Sequence, residues 1–169
     1  AGANEVNLRT FGGSMTESGD DAGAEIFGAA LFLLATGVGS TIGDPANPIE
    51  IEGARLNAAT EGGSISMIDL SGGLVLDQVN AVAGAVNLTA TNGNLTQFVP
   101  GTVAAVVGGA VNLTVTGIGS TIGAAGQTLF FNATGLNATT AGGTIFVNDT
   151  AGGVGVGAVT APGGIVNLT

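Results

Sequence analysis

The chain has 169 residues, 45% of them apolar and 8% charged, with 32 glycines and a formal charge of −10. Cys, His, Lys, Trp and Tyr are absent, which excludes a disulfide framework, thiol or imidazole chemistry, a Schiff-base lysine and cysteine-ligated zinc. Two Arg against 12 acids make no phosphate-binding surface, so nucleic acid is not an expected partner, and the high apolar content argues against a disordered chain. The longest apolar run, Ile26–Val38, is too short and glycine-rich to span a membrane as a helix, so no membrane span is expected. The chain starts at Ala1 and reads as a processed protein or a piece of a longer one.

In chain order, residues 1–9 read first as a strand, because they match the closing residues 161–169. Ala29–Ala35 looks helical in isolation. Its counterpart 80 residues on is Gly109–Val115, which alternates apolar residues with Asn and Thr, so both are predicted as strands. Thr36–Gly43 recurs as Thr116–Gly123, Leu56–Ile65 as Leu136–Ile145, and Ala85–Thr89 as Ile165–Thr169. Strands are predicted at Val111–Thr116, Leu129–Thr134, Ile145–Thr150 and Ile165–Thr169, with glycines supplying the corners between them. The chain is two copies of an 80-residue unit: 1–80 is the first repeat, 81–160 the second, and 161–169 a terminal strand opening a third.

A beat of about 20 residues, four to a unit, predicts an all-β fold, a parallel β-solenoid (β-helix). About eight rungs stacked at about 4.8 Å would make a rod of roughly 40 Å. Val111, Leu113 and Val115 are predicted to point inward, and Asn112, Thr114 and Thr116 outward. The alternative is a tandem pair of antiparallel β-sandwiches linked to neighbours by donor-strand exchange.

The phrase Gly-Gly-x-Val-Asn-Leu-Thr occurs at Gly108–Thr114 and Gly163–Thr169, and the first is followed by Thr116-Gly117. It resembles the repeat grammar of bacterial β-strand-repeat surface proteins, the filamentous-haemagglutinin-like extracellular β-solenoids. The resemblance implies an extracellular, right-handed parallel β-helix with a structural or adhesive role.

The copies differ in surface chemistry. Only Asp149 among the 12 acids lies beyond residue 80, and both Arg9 and Arg55 lie before it. Asn-x-Ser/Thr shows the reverse distribution, at Asn87, Asn94, Asn112, Asn132, Asn137, Asn148 and Asn167. These are glycosylation candidates, against the plainer reading that Asn and Thr form outward ladders in the repeat. Phe32, Leu34, Ile68, Phe130 and Phe146 fall on the outward register where their repeat equivalents are often polar, so they are candidates for a subunit interface. Val6, Leu8, Ile165, Val166 and Leu168 join them, because uncapped terminal strands recruit other strands.

Glu17, Asp20, Asp21 and Glu25 form the densest acidic cluster, and their oxygens suit Ca²⁺, but the spacing matches no EF-hand and the segment reads as a solvated loop. Gly72–Asp77 faintly resembles a calcium-binding roll, yet its counterpart Gly152–Gly157 lacks the Asp. No metal, cofactor or enzymatic activity is expected. The expected function is a structural subunit of an extracellular or cell-surface filament, self-assembled head to tail by terminal strand pairing, with covalent glycans as a further partner. The alternatives are a stalk or passenger fragment of a surface adhesin, or an S-layer or matrix component.

Overall fold

The computed structural model describes residues 4–19 and 23–169. Twelve strands follow in chain order: β1 (Glu5–Phe11), β2 (Ile26–Thr36), β3 (Ile49–Thr60), β4 (Ile65–Asp69), β5 (Gly73–Asn80), β6 (Ala85–Ala90), β7 (Asn94–Gln97), β8 (Val106–Ile118), β9 (Leu129–Ala141), β10 (Ile145–Asp149), β11 (Gly155–Thr160) and β12 (Val166–Leu168). They pair in parallel into one wrapped sheet, with no helix among the described residues. This is a parallel β-solenoid. The antiparallel bridges, Asp44–Asn47 and Ala124–Gln127, each close a tight turn, which sets aside the tandem sandwiches.

Strand alternation builds the core. Val111, Leu113 and Val115 are buried, Asn112 and Thr114 half-buried, and Thr116 exposed. Ala29–Ala35 lies within β2 and is strand, as its repeat partner requires. The four longest strands turn a corner, because their inward parity switches midway. In β2, Ile26 points inward, and then Leu31, Leu33 and Ala35 do; in β9, Leu129, Phe131 and Ala133 are followed by Leu136 and Ala138. Gly28, Gly53, Gly108 and Gly135 sit at these corners.

The stacking register differs from the expected four rungs per unit. One column of inward side chains runs Val6–Leu31–Leu56–Leu76–Gln97. On the same face, Leu74–Leu95–Ile122–Ile145–Val166 continues it. A second column runs Met15–Ile42–Ile65–Val86–Val111–Leu136–Val156. Val6 and its repeat equivalent Val86 therefore lie in different columns, as do Leu31 and Val111, and Ile42 and Ile122. A shift of 80 residues advances the chain three and a half turns and moves each residue to the other face.

Each turn averages about 23 residues instead of 20. Steps are longest where a loop interrupts a face. Segment 43–48 interrupts the second-column face in the first copy, and 98–105 and 123–128 interrupt the first-column face in the second. Counting the bridged levels, Val6 to Val166 takes seven steps, so two units return the chain to its starting face.

Stacked turns leave little room at two equivalent corners. Gly43 and Gly123 have φ of +68° and +63°. A Cβ at Gly43 would collide with the Ser66 carbonyl, and one at Gly123 with that of Phe146. Gly123→Ala is expected to cost about 2–3 kcal/mol, from strain plus steric conflict with backbone. Urea unfolding measures it, and a loss below about 0.5 kcal/mol would contradict the close approach.

The β4–β5 turn is closed by a fully buried acid. Asp69 lies between Ile51 and Ala90 in register. It accepts hydrogen bonds from the Ser71 backbone N–H (3.4 Å) and hydroxyl (3.2 Å) and from the Gly73 N–H (3.1 Å). Its second-copy equivalent, Asp149, accepts one from the Ala151 N–H, and its Oδ2 has no partner.

Candidate functional site

The acidic site forms where Glu25, just ahead of β2, pairs with Glu50 of β3. The Glu25 N–H donates to the Glu50 carbonyl at 3.0 Å, and the Glu50 N–H donates to Glu25 Oε2 at 2.9 Å. This pairing brings Glu17, Glu25 and Glu50 together, with a carboxylate oxygen of each within 4.8 Å of the others. Glu50 is only 7% exposed. Both Glu17 carboxylate oxygens and Glu50 Oε2 are buried without a hydrogen-bond partner. Burial, followed by the neighbouring Glu17 and then Glu25, pushes the Glu50 carboxyl up to about 7. Glu17 and Glu25 also line an adjoining cavity of about 380 Å³, with Arg9, Met15 and Ile49 in its wall. Arg9 lies over the Phe11 ring, and among the described residues the ion pair is Arg55–Asp77, so no Arg bridges the three acids.

The equivalent place in the second copy holds Gln97, Ala105 and Phe130. Gln97 is buried, and its amide nitrogen donates to the Val99 carbonyl at 2.9 Å and the Val103 carbonyl at 3.0 Å. Its Oε1 accepts from the Phe130 N–H at 3.0 Å, and the Ala105 N–H donates to the Phe130 carbonyl at 2.8 Å. The backbone frame is the same, but a neutral amide knits the loop together where the first copy has carboxylates.

Sequence reading located part of this site. Glu17 and Glu25 belong to it; Asp20 and Asp21 lie outside the described residues. Glu50 was missed because it is remote in sequence and reaches the cluster by stacking one turn along. The signal was the offset of 25 residues that also stacks Leu31 on Leu56. Asp77 of the roll-like segment is instead ion-paired to Arg55, whose guanidinium lies 3.6 Å from the Phe98 ring centroid.

Three sequons build an outward ladder. Asn137 donates to Asn112 Oδ1 (2.7 Å), Asn112 to Asn87 Oδ1 (2.7 Å), and Asn87 to Ser66 Oγ (2.9 Å). Asn137 Oδ1 accepts the Ala158 N–H at 2.8 Å. The amide nitrogen that a glycan would occupy is thus used at all three. Asn148 donates to Thr169 Oγ1, and Asn94 accepts the Thr121 N–H. Asn94, Asn132 and Asn167 are exposed.

The proposed interface residues are dispersed. Phe32, Leu34, Phe130 and Phe146 stand half-buried on one face, while Ile68 lies on the other because a unit advances by half-turns. Asn7 and Asn57 flank Phe32, and Asn148 and Asn167 neighbour Phe130 and Phe146, so these rings form no continuous patch. Leu8, Ile165 and Val166 are exposed on or beside the outermost strands, with Val6 and Leu168 half-buried. Phe11, Val38, Val103 and Ile118 are more exposed than any of these.

Fold and site together define a two-faced parallel β-solenoid with a carboxylate cluster in one copy and an amide in the other. Comparison with protein-family models, curated proteins and solved structures finds no match to this chain.

Proposed function

We propose that this chain is a structural subunit of an extracellular filament, extended along the solenoid axis by pairing of strand edges. One observation carries this reading: β1 and β12 stand on the same face, seven steps apart, with the same inward–outward phrase, Val6-Asn7-Leu8 and Val166-Asn167-Leu168. One copy's β12 can take the place of β1 in the next with both faces in phase. β1 pairs with β2 alone and is mostly exposed, so its displacement opens little of the core. The Asn ladder and the low charge of the second copy support a surface setting. On that surface, glycans at Asn94, Asn132 or Asn167 displace no side-chain amide donor.

Negative-stain electron microscopy of the purified chain tests the proposal. Rods with an axial repeat of about 34 Å are expected, from seven levels at about 4.8 Å. Deleting 161–169 should leave folded monomers. Monomers from the intact chain would sink the filament and favour an adhesin stalk, in which copies stack within one polypeptide. The return to the starting face after two units favours that second reading.

A further inference from the structure

We propose that Glu17, Glu25 and Glu50 form a binding site for a divalent cation, with Ca²⁺ the best match. All three side chains offer hard oxygen ligands, and the chain has no Cys or His to recruit a softer metal. Three carboxylates gathered within 4.8 Å repel one another unless protons or a cation neutralise them.

Two observations favour a cation. Glu50 is more than nine-tenths buried, and its Oε2 is unpartnered, as are both oxygens of Glu17. Buried polar oxygens are costly when unpaired, and these point into a shared cluster. The second copy supplies the other observation. There the amide of Gln97 donates to two loop carbonyls and accepts a backbone N–H, so the same fold position is satisfied without a ligand. Glu17, in that position, has no N–H to give. A cation would satisfy the carboxylate oxygens of the first copy, where the second copy relies on the N–H donors of a neutral amide. Ca²⁺ takes six to eight oxygens at about 2.3–2.6 Å in flexible geometry, so mono- and bidentate carboxylates plus water suit it; Mg²⁺ demands a stricter octahedron.

The test is isothermal titration of the chelator-treated chain with CaCl₂ and, separately, MgCl₂ at pH 7, paired with thermal unfolding. One Ca²⁺ per chain is expected, with a rise in Tm and weaker binding of Mg²⁺. Glu50→Gln and Glu17→Gln should each weaken Ca²⁺ binding at least tenfold. Glu52→Gln, an exposed acid on the same strand, should leave it unchanged. Circular dichroism checks that each variant is folded. If Glu50→Gln fails to fold, Glu17→Gln decides. The absence of heat and of a Tm shift at millimolar Ca²⁺ would overturn the proposal and leave a proton-shared carboxyl cluster. Equal weakening by Glu52→Gln would overturn it as general acidic attraction.

Discussion

Replacing Phe131 by alanine is expected to destabilise the chain by about 3–5 kcal/mol, the range for removing a large aromatic from a packed core. Phe131 is fully buried in β9, in register between Val106 of β8 and Asp149 of β10. The ring fills a level that a neighbouring turn cannot close over, because parallel pairing on both sides holds the strands in place. A solenoid is quasi-one-dimensional, so the loss should be local. Hydrogen exchange should quicken in β9–β12 more than in β1–β5, and chemical denaturation should lose its single sharp transition. Uniform acceleration along the whole chain would mean that the turns unfold as one cooperative block.

Between about pH 4.5 and pH 7 the cation-free chain is expected to lose stability as pH rises. Glu50 is the main cause: burial, then Glu17 and Glu25, raise its carboxyl from an ordinary 4.5 to about 7. In that window the folded chain holds a proton that the unfolded chain has released, so raising the pH favours unfolding. The contribution is fully present below pH 4.5 and gone above pH 7. A fall in Tm on the order of 5–10 °C follows for a chain of this size. Asp69 acts in the same direction, since burial raises its carboxyl from 3.8 against the lowering effect of its Ser71 and Gly73 hydrogen bonds. Thermal scans across the window should flatten in Glu50→Gln, and saturating Ca²⁺ should remove the fall if the cation replaces the proton. An unchanged slope in Glu50→Gln would assign the effect to other acids.

Much of the fold was legible because strand alternation is a local property. Val111, Leu113 and Val115 fell inward as their two-residue period requires, and β2 followed its repeat partner against its helical look. The acidic cluster was half legible. Glu17 and Glu25 are near in sequence, whereas Glu50 meets them only through the backbone pairing of consecutive turns.

The sequence by itself determined the 80-residue unit and the inward–outward alternation of several strands, and favoured the parallel solenoid over tandem sandwiches, because these follow from side-chain alternation and repetition along the chain. Only the tertiary structure decided how many residues make a turn, which face each copy presents and which acids meet. Those depend on loops such as 43–48 and 98–105, which lengthen some steps and not others and carry no periodic signal. A repeat of three and a half turns places identical phrases on opposite faces, and only the accumulated stacking register reveals the half.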